Sequence, residues 1–163
     1  MSPPVDLAEF FGRLIAIERG GAGLFSRLAA RLERFPELAA LVRGLQADGQ
    51  ANLEMLARFR DSLPPAVLAG PCDASAMRQI ERAAGLLEGD PVGRFADFEE
   101  AYQFIHEFEN NEVVPLLRLL EGECRTDRID CSPIMLIVEQ RLARLDGLVS
   151  VAGDRELRRA MRL

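Results

Sequence analysis

Apolar residues recur at helical spacing in four long stretches of this chain, and every proline except Pro115 lies between stretches or at an edge. The stripes read Phe11, Leu14, Phe25, Leu28, Leu32; then Leu38, Leu41, Leu45, Leu56, Phe59; then Phe98, Ala101, Ile105, Leu116, Leu119; then Met135, Val138, Leu142, Leu145. That period predicts amphipathic helices, each burying one face. Asp6 followed by Glu9 is a capping box with Asp at the cap, so the first helix is expected over residues 6–34. Pro36 suits the first turn of a second helix over 36–63, which Pro64-Pro65 then stops. Residues 64–94 form a long Pro- and Gly-rich connection with one helical pattern at 74–87. A third helix is expected over 96–122, kinked at Pro115. After a turn at 126–132, Pro133 opens a fourth that reaches at least Ser150, and Gly153 breaks it before a last amphipathic segment at 154–163.

Two long helical hairpins joined by one long connection predict an all-α fold: a four-helix bundle with a single crossover and short extra helices, in one domain spanning 1–163. The chain has 163 residues, 48% of them hydrophobic, enough to bury a core. The interval from Glu18 to Gly49 nearly equals that from Glu109 to Glu139, so the hairpins read as two weakly similar copies of one unit.

Three glutamates interrupt the stripes where a helix should face the core: Glu18 in the first, Glu109 in the third and Glu139 in the fourth. A buried carboxylate costs several kcal/mol unless it is paired, protonated or bound to a metal. Asn52, on the inward face of the second helix with Gly49, is placed to donate to Glu18 or Glu139 in a metal-free network. His106, the only histidine, lies one turn before Glu109 and is the available imidazole ligand; Glu112, one turn after, is the rival carboxylate. Gly20, Gly21 and Gly23 are unusual inside a helix and imply close helix contact or a distortion beside Glu18.

Glu18 followed by Gly21 and Phe25, and Ala101 and Ile105 leading to Glu109, resemble the ligand segments of the ferritin-like superfamily, in particular its rubrerythrin-related members. The resemblance covers about residues 8–150. It implies a bundle in which the first and third helices each supply a Glu, and the second and fourth each supply Glu-x-x-His, to two iron or manganese ions. Here the latter positions fall on Gly49 and Asn52, and on Glu139 and Leu142, and no Cys-x-x-Cys of a rubredoxin module occurs. The resemblance therefore implies an incomplete site of Glu18, Glu109, Glu139 and His106 that holds iron, zinc or manganese partially or not at all. It also implies a homodimer. The expected function is a non-catalytic or weakly metal-binding bundle, with a di-metal oxidoreductase acting on peroxide or ferrous iron as the alternative.

The net charge of −6 argues against nucleic acid as a partner. No apolar run is long enough for a bilayer, and the first residues lack the basic and apolar regions of a signal peptide. Cys72, Cys124 and Cys131 cannot all pair within one chain, which points to a reduced, cytoplasmic protein, and the single crossover would bring all three to one pole. Arg155, Arg158, Arg159 and Arg162 form a basic face at the C-terminal end, as a solvated helix end or a surface for an acidic partner.

Overall fold

The computed structural model describes residues 5–126 and 128–163. Residues 1–4, and residue 127 within the turn expected at 126–132, lie outside them. Helix α1 spans Leu7–Arg31 and begins as its sequence dictates, with the Asp6 carboxylate accepting from the Glu9 N–H at 2.8 Å. Helix α2, Pro36–Ser62, starts on its N-terminal proline. In the connection, α3 (Pro65–Leu68), α4 (Ala74–Leu86) and α5 (Pro91–Arg94) follow. Helix α6 (Phe98–His106) runs into a π-helical turn (Glu107–Val113) and then α7 (Val114–Thr126). Helix α8 is Ser132–Ala152; Gly153, at φ +72°, ends it in the left-handed region that favours glycine, and α9 is Arg155–Ala160. There is no strand among the described residues, so the all-α expectation holds.

The most extensive helix pair is α1 with α2, followed by α2 with α8 and then α7 with α8, while α4 lies over α1, the π turn and α7. Two glycines set the spacing around Glu18. A Cβ on Gly49 would touch that of Ala22 at 3.4 Å, and one on Gly21 would lie 2.9 Å from the Phe108 ring, which also packs edge-on to Phe25. The core joins Phe11, Leu14 and Leu28 to Leu56, Ile105, Leu116, Ile134 and Leu148, all fully buried.

Ahead of Pro115, where a kink is expected, the helix carries a π turn that ends at Val113. On α8 the buried stripe is Ile134, Ile137, Val138, Arg141, Leu145 and Leu148, so Glu139 and Met135 are exposed and Leu142 only half-buried. Helix α8 is apolar nearly all round: Leu136, Val149 and Val151 are exposed as well, and two registers satisfy a helical period equally.

Cys72, Cys124 and Cys131 are all buried. Cys72 feels the Glu123 carboxylate of α7, and the Cys131 thiol lies 3.7 Å from the Glu121 carbonyl, which places both against the C-terminal end of α7, where Cys124 itself sits. No helix among the described residues is long and apolar enough to cross a membrane.

Candidate functional site

Glu18 of α1 and Glu109 of the π turn both point inward, as their stripes require, and are 3% and 1% exposed. Between them lies Arg141 of α8, itself 4% exposed. Its Nη2 donates to Glu18 Oε2 and its Nη1 to Glu109 Oε2, so one guanidinium bridges carboxylates from two other helical segments. Arginine suits this place because its planar fork presents separate N–H groups to separate acceptors and keeps its charge when buried.

The charges do not balance. Two carboxylates and one guanidinium leave a surplus of one negative charge in a region closed to water. Burial pushes the Glu18 carboxyl up from 4.5 to about 7; Arg141 opposes the rise and the neighbouring Glu109 adds to it. Burial alone would lower the pKa of Arg141, but the two carboxylates hold it above the ordinary arginine value. Near neutrality the Glu18 carboxyl is therefore close to the middle of its titration while the guanidinium keeps its charge.

The other expected participants are elsewhere. Glu139 lies on the exposed side of α8. His106 is half-buried, its ring 4.5 Å from that of Tyr102. Burial, and then the charge of Arg158, push its pKa down, favouring the neutral imidazole. Arg158 stacks over Tyr102 at 4.0 Å and donates to the buried Glu99, so this member of the C-terminal basic face fastens α9 to α6 instead of facing solvent. Asn52 is buried as expected, at 1% exposure, but hydrogen-bonds to neither carboxylate. Glu112 is buried too, on a different side of the turn from Glu109: it accepts from Gln79 of α4 and lies 3.4 Å from Arg82.

A metal centre needs converging donors and room for a cation. Among the described residues, no group of three or more His, Cys, Asp or Glu side chains is arranged to hold one. The space between the Glu18 and Glu109 carboxylates is taken by the guanidinium, and His106, whose ring packs on Tyr102, has its buried Nε2 hydrogen-bonded to neither carboxylate. In this arrangement the donor set does not fit a two-ion carboxylate–histidine site. Arg141 was not among the residues singled out from sequence, although a cation inside a stripe that faces two carboxylates is a readable signal once the register of α8 is known.

No protein-family model, no curated protein and no solved structure matches the chain.

Proposed function

We propose that this chain is a ferritin-like, rubrerythrin-related bundle in which an arginine takes the place of the metal, and that it works as a non-catalytic protein through its surfaces. The observation that carries this reading is the donation of one buried guanidinium to both Glu18 and Glu109. A guanidinium neutralises and orients carboxylates as a cation does, yet it has no open coordination position and no second oxidation state. The placing of two glutamates on the first and third long helical segments, with one long connection between hairpins, supports the ferritin-like part of the reading. A homodimer belongs to the same proposal, and the exposed Met135, Leu136, Val149 and Val151 of α8 offer apolar surface for a second copy.

The test is metal content by mass spectrometry on protein purified without added metal and again after reconstitution with ferrous iron, with sedimentation to read the oligomeric state. The expected result is no stoichiometric iron, manganese or zinc in either sample, and a dimer. Iron near one or two ions per chain, lost in Glu18→Ala, would overturn the reading and favour the di-metal oxidoreductase.

A further inference from the structure

The π turn that carries Glu109 has a cause in the sequence. Proline has no N–H, so Pro115 cannot donate to the carbonyl four residues back, that of Asn111, and its ring crowds that carbonyl. The helix widens just before it: the Val114 N–H bonds five residues back, to the carbonyl of Glu109. The Asn111 carbonyl thereby loses the donor that a regular α-helix would place at residue 115.

A donor in its place comes from the crossover. Gln79 of α4, 8% exposed, places its Nε2 2.9 Å from the Asn111 carbonyl and 3.4 Å from that of Glu112, and the same amide donates to the Glu112 carboxylate. Its Oε1 accepts from Arg82, which lies 3.4 Å from the Glu112 carboxylate and closes a ring of three side chains. One face of the turn is thus held by α4, and the other presents Glu109 to Arg141. Phe108, between the two, is seated against Gly21 of α1.

We propose that Gln79 is a positioning residue for the buried triad: by donating to the carbonyl that Pro115 cannot serve, it fixes the π turn and with it the Glu109–Arg141 pair, so that the crossover helix governs the interior site. One helical residue corresponds to about 100° of rotation, so a small slip of the turn withdraws Glu109 from the guanidinium. Arg141 would then serve Glu18 alone.

The experiment is NMR on the full chain with Gln79→Met, reading amide exchange over 107–113, the Arg141 guanidinium resonances and the titration of the Glu18 side-chain carboxyl. Faster exchange, displaced Arg141 resonances and a fall in the Glu18 midpoint are expected, because the Glu109 charge that raises it has moved away. Loosening that admits water would also lower the Glu18 midpoint, so the Arg141 resonances, which read whether the guanidinium keeps its bond to Glu109, separate positioning from a merely structural loss. A folded variant with that midpoint and the Arg141 resonances as in the wild type would overturn the proposal. Should Gln79→Met not fold, Gln79→Glu combined with Glu112→Gln reverses the side-chain hydrogen bond and removes the donor to Asn111, and the same shifts are expected. Unchanged values there would overturn it equally. None of these readouts depends on metal content, so their failure and that of the proposed function are distinguishable.

Discussion

Arg141 and Arg144 lie one turn apart on α8 and each binds carboxylate, but in different media. The Arg141 side chain is 5% exposed and bridges two acidic groups that are as deeply buried. The Arg144 side chain is 38% exposed, crosses Gly44 of α2, and meets one carboxylate, Asp48, in a bidentate pair at 2.8 and 3.1 Å. By geometry alone the Arg144 pair is as good an ion pair as the interior one. Solvent screens it and hydrates either partner if the other is lost, whereas neither Glu18 nor Glu109 has water to fall back on. Burial, more than pairing, decides which of the two arginines the fold depends on.

The largest expected effect follows from removing the interior cation. Arg141→Met leaves two facing carboxylates in the core and should cost about 3–5 kcal/mol in urea unfolding. Adding Glu18→Gln and Glu109→Gln to it should restore much of that loss, since the cost arises from unpaired charge. Next comes pH. The Glu18 carboxyl titrates near 7 in the folded protein against 4.5 as its ordinary value, so the folded state binds the extra proton between them. Stability should therefore be greatest below about pH 4.5 for this group and fall by about 3 kcal/mol as pH rises to 7, then level off. Unfolding curves across that window should lose this slope in Glu18→Gln. At pH 5, where Glu18 already carries its proton, Glu18→Gln itself should change stability by less than about 1.5 kcal/mol. Arg144→Ala closes the series at about 0–1 kcal/mol, diminishing in high salt. A cost for Arg144→Ala equal to that of Arg141→Met would break the comparison.

Much of the fold was legible because its signals are local. Asp6 caps α1 and Pro36 opens α2, both signals readable from residues close in sequence; the caps of Asp73 on α4 and Asp154 on α9 are equally local but emerge only in the structure. The one-turn helices α3 and α5 were missed inside the connection, each too short to show a period. Of the site, Glu18 and Glu109 were readable, since each stands alone among unambiguous apolar neighbours. The exposure of Glu139 and the burial of Arg141 are hidden from the sequence for one reason: α8 carries apolar residues on every side, so its period does not say which face is inward. The π turn is not legible, because Pro115 announces a break in the helical hydrogen bonds without stating how the chain closes it. That answer lies in Gln79, remote in sequence.

The most direct test of the central claim, that Arg141 is the interior cation, is a crystal structure of protein grown with excess manganese or ferrous iron, with anomalous diffraction recorded at the metal edge. The account predicts guanidinium density joined to both Glu18 and Glu109, and no anomalous peak between them. An anomalous peak there, with the Arg141 side chain displaced, would contradict it.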